Sequence, residues 1–153
     1  MPKHAHAARH VGIWVRVSTE EQARGESPQH HEERARYFAK NKGWIVAEVY
    51  HLEGVSGKSV IRHPEAQRML GDVRSGAISA LLFSKIARLA RNTRELLEFW
   101  DVFEEHGADL VSLDEAIDTT TAAGKMMYTV MGTLAEWERR EIEIGRASCR
   151  ERV

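Results

Sequence analysis

A chain of 153 residues is long enough for one domain with a real core, and its 42% apolar and 29% charged residues are ordinary for a globular protein. The formal net charge of −1 excludes a global electrostatic pull toward nucleic acid or a membrane surface, so any anion site has to be a local cluster. One cysteine, Cys149, excludes an internal disulfide and points to a reducing compartment, and neither a membrane-spanning apolar run nor a signal-peptide pattern is evident.

Residues 1–10 carry His4, His6 and His10 among small residues and read as a disordered arm. Val11 to Gln22 follows, as V-G-I-W-V-R-V-S-T-E-E-Q. Its apolar, β-branched start predicts a buried strand ending at Ser18. A serine at a strand end is held by the sheet while its hydroxyl stays open to a ligand. Arg16 sits two residues earlier, on the same side, because strand side chains alternate. That sets a guanidinium beside a hydroxyl, an arrangement suited to phosphate chemistry. A plain strand-end serine beside a solvent-reaching arginine fits the same two residues.

Ser27-Pro28 supplies an N-cap and a proline at the first helical position, predicting a helix from Pro28 to Lys42 stopped by Gly43. Its inward face uses His31, Ala35, Phe38 and Ala39. Trp44 to Tyr50 reads as a second strand and Leu52 to Ile61 as a loop with glycines and serines. His63-Pro64 starts a second helix, with Ala66, Met69, Leu70 and Val73 facing in and Gly76 ending it. Ile78 to Phe83 is an unbroken apolar run, which predicts a strand buried on both faces. Asn92 or Thr93 caps a third helix, with Leu96, Leu97, Trp100 and Phe103 as its stripe and Gly107 as its stop. Ala108 to Leu113 reads as a fourth strand, and Asp114 to Ala122 as a polar, threonine-rich stretch. A long helix starts near Ala123 and runs at least to Ile142, with an apolar stripe of Met127, Val130, Met131, Leu134 and Trp137.

Glu143 to Val153 looks like the conceptual translation of a sequencing-library adapter and is set aside as non-native. On that reading the native protein continues past residue 142. The expected division is an arm over 1–10, an α/β domain over 11–122, the start of a long helix over 123–142, and a foreign tail over 143–153.

The alternation of strands and helices predicts an α/β fold, with a mostly parallel sheet of four to five strands and helices on both faces. Ligands bind such sheets beyond the carboxyl ends of the strands. Ser18, the loop around Glu53 to Gly57, and the segment Lys85 to Arg91 all follow strands and should converge on one edge. The last segment, K-I-A-R-L-A-R-N-T-R, carries Lys85, Arg88, Arg91 and Arg94 with no acid between them. Arg88 and Arg91 would share a face if it is helical. A solvated basic face is the plain alternative. The loop L-E-G-V-S-G-K-S-V-I-R allows close backbone approach to a phosphate but lacks the G-x-x-x-x-G-K-[ST] spacing, and no G-x-G-x-x-G follows the first strand. A nucleotide-binding α/β enzyme is therefore disfavoured. No histidine stands beside Ser18 in sequence, so an acyl-transfer triad has no support. Arg16, Arg62, Arg88 and Arg91 around one hydroxyl suit metal-free attack of Ser18 on a phosphodiester, because guanidiniums stabilise a multiply charged phosphoryl transition state.

These motifs resemble those of the serine recombinases, the group of resolvases, invertases and large serine integrases. The resemblance runs from Val11 to Ile142. It rests on V-R-V-S-T-E-E-Q, E-G-V-S-G, Arg62, K-x-x-R-L-x-R, I-D-T-T-T-A-A-G and L-A-E-W-E-R-R-E, in that order. It implies that Ser18 is a nucleophile that forms a 5′-phosphoserine link to double-stranded DNA, with Arg16, Arg62, Arg88 and Arg91 around the scissile phosphate. It implies supporting phosphate contacts from Gln22, Ser56, Lys85 and Arg94, and a partly structural role for Glu138. It further implies dimers that join into tetramers through the long helix, strand exchange by subunit rotation, and no metal, nucleotide or other cofactor. A cytoplasmic protein of a bacterium, phage or mobile element is expected. Family members carry a C-terminal DNA-binding part, so the chain by itself is expected to be weakly active or inactive. Two positions depart from the family pattern: Ala87 stands where aspartate is common, and His31 where glutamine is common. Ala87 keeps open a second reading, a non-catalytic DNA-associated assembly or regulatory module with the same fold.

Overall fold

The structure is a computed structural model and describes residues 9–17, 22–25, 27–53, 59–114, 117–126 and 128–130. The elements in chain order are β1 (His10–Val15), α1 (Pro28–Lys42), β2 (Ile45–His51), α2 (Pro64–Ser75), β3 (Ala80–Phe83), α3 (Ile86–Leu89), α4 (Thr93–Glu105), β4 (Asp109–Ser112) and β5 (Ile117–Asp118). Residues 122–126 and 128–130 are also helical.

The long helices begin and end where local chemistry dictates. Ser27 Oγ accepts the His30 N–H at 3.2 Å, Pro28 opens α1, and Gly43 closes it at φ 73°. His63 Nδ1 caps α2 by accepting the Glu65 N–H at 3.1 Å, and Gly76 closes that helix at φ 81°. Asn92 Oδ1 caps α4 by accepting the Glu95 N–H at 2.8 Å.

The sheet has the order β2-β1-β3-β4-β5, with β1 to β4 parallel and β5 antiparallel to β4. This is the expected mostly parallel sheet, covered by helices on both faces. Alternation along β1 sorts its side chains. Val11, Ile13 and Val15 join Ala35 and Ala39 of α1 on one face. Trp14 lies on the other, in a larger core built by Tyr50, Leu81 and Phe83 with α2 and α4. Gly12 is required on that face: a Cβ there would stand 2.7 Å from Tyr50 Cε2 and 3.0 Å from Ile78 Cδ1. The Tyr50 hydroxyl donates to Asp72 Oδ2 at 2.6 Å, and the Arg68 guanidinium lies 4.5 Å over the Tyr50 ring. Arg68 continues to Glu48, Glu65 and the Val49 carbonyl, along the outer strand β2.

Several sequence expectations shift. β2 runs one residue later than Trp44 to Tyr50, and β3 and β4 are shorter than their apolar runs; Ile78 is buried but lies before β3. In α4 Phe99 is fully buried while Leu97 is half-buried, so the core stripe is Leu96, Phe99, Trp100 and Phe103. Phe99 lies in the core shared with α2 and the sheet, where Trp14 meets it edge-on at 5.9 Å. The stretch from Asp114 to Ala122 contains β5. In the helical residues 128–130, Tyr128 is buried and stacked on Trp100 at 5.2 Å, and Val130 is exposed. Met127, Met131, Leu134 and Trp137, the helix over 131–142, the arm over 1–8 and the tail over 143–153 lie outside the described residues. Among the described residues, no helix is long and apolar enough to cross a membrane.

Candidate active site

The candidate site lies at the carboxyl end of β1 and β3. β1 ends at Val15, and Arg16 follows it half-buried. Trp14 and Arg16 share a side of the chain, and both reach α3. The Trp14 indole N–H donates to the Arg88 carbonyl at 2.8 Å. Arg16 Nε donates to the same carbonyl at 2.9 Å, and Arg16 Nη2 donates to the Ala87 carbonyl at 2.9 Å. The cause is the shortness of α3. A four-residue helix cannot satisfy its own last carbonyls, and a guanidinium is a fitting donor for them. A half-buried positive charge is thereby given fixed partners, and β1 is locked to the basic segment that follows β3.

Lys85 and Arg88 are half-buried in this segment. Ala90 is extended, at φ −135° and ψ 149°, so the helix stops before Arg91. Arg88 and Arg91 therefore do not share one helix face; the peptide bends between them, and α4 restarts after Asn92. Arg91 is exposed.

Arg62 is exposed in the turn that leads into α2. A cleft of about 370 Å³ brings it together with Arg94, and Ser59, Ile61, Asn92, Glu95 and Glu98 complete the walls. Among the described residues, Arg62, Arg91 and Arg94 make no hydrogen bond or ion pair through their side chains. By contrast, Arg9 pairs with Asp109, Arg34 with Asp114, Arg36 with Glu32, and Arg68 with Glu48 and Glu65. These four arginines are committed to carboxylates, while Arg62, Arg91 and Arg94 are open to an anion. Gln22 is helical and exposed. Ser18, Ser56 and Glu138 lie outside the described residues.

Sequence reasoning missed two contributors. Trp14 reads as a core residue, yet its N–H helps to hold the Arg88 carbonyl. Glu95 went unremarked in the sequence, yet it is 6% exposed and Oε1 accepts the N–H groups of Val60 at 2.7 Å and Ile61 at 2.8 Å. The spacing N-x-x-E from Asn92 to Glu95 was a usable signal, because it is a helix-start pattern. Beside Arg62, His63 Nε2 also hydrogen-bonds the Glu53 carbonyl at 2.9 Å. Glu65 is held below the usual carboxylate range, chiefly by its hydrogen bonds from Arg68. Among the described residues, no group of three or more His, Cys, Asp or Glu is placed to hold a metal ion.

Comparison with known proteins agrees with this architecture. The family described as "Resolvase, N terminal domain" matches residues 11–151. The chain is 33% identical over 87 residues to the Transposon Tn917 resolvase of Enterococcus faecalis, covering 57% of this chain and 46% of that protein. It is 36% identical over 85 residues to the DNA-invertase hin of Salmonella typhimurium, covering 56% and 43%. The chain's match thus spans about half the length of these curated relatives. Among solved structures, the N-terminal catalytic domain of TP901-1 integrase superimposes with a TM-score of 0.76 at 34% identity, covering 86% of this chain and 98% of that one. A resolvase family site-specific recombinase from Streptococcus pneumoniae gives a TM-score of 0.76 at 30% identity, covering 94% and 97%. A parallel sheet with a basic segment at its carboxyl edge, matched by sequence and by shape, makes this chain a member of the resolvase N-terminal domain family of serine recombinases.

Proposed function

We propose that the chain is the catalytic domain of a site-specific DNA recombinase in which Ser18 is the nucleophile. The observation that carries this reading is the anchoring of Arg16 on the Ala87 and Arg88 carbonyls. It joins the strand end that precedes Ser18 to the segment bearing Lys85, Arg88 and Arg91.

In the proposed reaction the Ser18 oxygen bonds to a DNA phosphorus and gives up its proton. The bond from phosphorus to the 3′ oxygen breaks, and that oxygen leaves as a hydroxyl. The product is a 5′-phosphoserine diester. Attack by a 3′ hydroxyl from the exchanged strand reverses the step and frees Ser18. One phosphodiester replaces another, so neither nucleotide nor metal is needed for the energy balance. Arg16, Arg62, Arg88 and Arg91 stabilise the charge that builds on the phosphoryl oxygens. Gln22, Ser56, Lys85 and Arg94 hold neighbouring phosphates. The helix over 123–142 joins copies into a dimer and then a tetramer. Support comes from the family membership, from the open guanidiniums of Arg62, Arg91 and Arg94, and from the sequence position of Ser18.

The test uses the full-length protein from the parent gene, supercoiled plasmid carrying candidate sites, and a chelator. Protein covalently attached to DNA 5′ ends, lost in Ser18→Ala, supports the reading. Binding and assembly with no adduct would favour the non-catalytic module, consistent with alanine at position 87.

A further inference from the structure

We infer that Glu95 is a positioning residue that sets the place of Arg62 and so governs the rate of strand cleavage. The inference rests on the recombinase reading above and extends it to a residue with no phosphate contact of its own.

Glu95 is the third residue of α4, where a glutamate ordinarily reaches back to the start of its own helix. Here the side chain goes elsewhere. One carboxylate oxygen accepts two consecutive main-chain N–H groups, from Val60 and Ile61, at 2.7 and 2.8 Å. Arg62 is the next residue. The carbonyls of the same turn are also engaged: the His63 N–H donates to Val60 O at 3.0 Å, and Gln67 Nε2 donates to Ile61 O at 2.7 Å. The peptide units before Arg62 are therefore fixed from both sides.

The origin of the tether matters as much as its strength. Glu95 belongs to the helix whose N-cap, Asn92, directly follows Arg91, and its own N–H is held by Asn92. One buried carboxylate thus fixes the turn carrying Arg62 relative to the segment carrying Arg91 and Arg94. Burying a carboxylate is costly unless it is fully hydrogen-bonded. Two charge-assisted bonds from backbone N–H groups to Oε1, at the positive end of α4, offset that cost. The exposed guanidinium of Arg62 has no side-chain partner among the described residues, so its aim depends on its main chain.

The test measures single-turnover formation of the covalent DNA adduct at saturating DNA, with DNA affinity measured separately. Glu95→Ala is expected to slow adduct formation by roughly 10- to 100-fold while affinity holds, since small misplacements of catalytic groups have effects of that size. Glu95→Gln keeps the accepting oxygen and is expected to restore most of the rate. In an Arg62→Ala background, Glu95→Ala is expected to add little. A wild-type rate in folded Glu95→Ala, or an equal slowing with and without Arg62, would overturn the inference. If Glu95→Ala does not fold, Glu95→Asp withdraws the carboxylate by one methylene; a slowed, folded Asp variant supports the inference and a wild-type rate overturns it. Absence of adduct from the unmutated protein would sink the recombinase reading itself, and this inference with it.

Discussion

Arg16 and Arg88 are bound to each other main chain to side chain: the Nε of the first donates to the carbonyl of the second at 2.9 Å. The contact orients one guanidinium by using the unsatisfied end of the helix that bears another. Lysine at position 16 keeps the charge but not the planar fork that spans the Ala87 and Arg88 carbonyls. Arg16→Lys is expected to lower the rate of covalent adduct formation by about 100-fold, the usual scale for losing a positioned donor to a charged transition state. Gel-based adduct assays at saturating DNA measure this. A rate near that of the unmutated protein would show that charge alone suffices.

The Arg88 carbonyl has a second donor in Trp14. Trp14→Phe deletes the N–H while keeping a ring against Phe99. Arg16 still satisfies the carbonyl, so no acceptor is orphaned. The expected loss is about 1 kcal/mol, the net value of one hydrogen bond. Urea unfolding of the variant checks it, with an unchanged m-value as the sign that the fold is intact.

Gly12 is a steric requirement of the core. Gly12→Ala is expected to destabilise the chain by about 1–3 kcal/mol, because Tyr50 and Ile78 must move to admit the methyl. Removing the ring should recover part of the loss. The double variant Gly12→Ala with Tyr50→Leu is therefore expected to be less destabilised than the sum of the two singles. Strict additivity in thermal unfolding would refute this contact as the cause.

Acid should weaken the outer strand. Glu32 and Glu65 are held below the usual carboxylate range, Glu32 chiefly by its hydrogen bond from Arg36 and Glu65 chiefly by those from Arg68. Each binds fewer protons folded than unfolded, so its contribution to stability rises with pH. That contribution is complete above the unfolded value of about 4.3 and is lost as pH falls through the lower folded value. Glu65→Gln is expected to have a lower Tm than the unmutated chain at neutral pH, with the gap closing as pH falls below the ordinary glutamate range. Tm measured against pH for both proteins decides it; a gap that stays constant would rule out this linkage. Salt should narrow the neutral-pH gap, because both groups are near the surface.

What the sequence disclosed divides along physical lines. Ser27-Pro28, His63-Pro64, Gly43 and Gly76 mark helix ends by chemistry that acts within a few residues, so α1 and α2 were legible to the residue. The two-sided burial of β3 was legible in its unbroken apolar run. The strand limits were not, because a strand ends where its neighbour ends, and that neighbour is distant in sequence. α3 was missed for the opposite reason: four residues give no period, and its last carbonyls are satisfied by Trp14 and Arg16 from far along the chain. The same distance hid Glu95, whose partners lie 35 and 34 residues away. The basic residues of the site were read from spacing and resemblance. Their division into an anchored Arg16 and the open Arg62, Arg91 and Arg94 depends on contacts between segments far apart in sequence.

The two outer rims of the sheet have a bearing on solubility. At one rim β5 offers only two residues, too short a template for a stray strand from another molecule. At the other rim β2 is seven residues long, but Arg68 occupies the Val49 carbonyl and holds Glu48 there, and His51 meets Glu32. Charge along an exposed strand makes edge-to-edge stacking unfavourable. Both rims of the sheet are thus guarded against ladder-type aggregation.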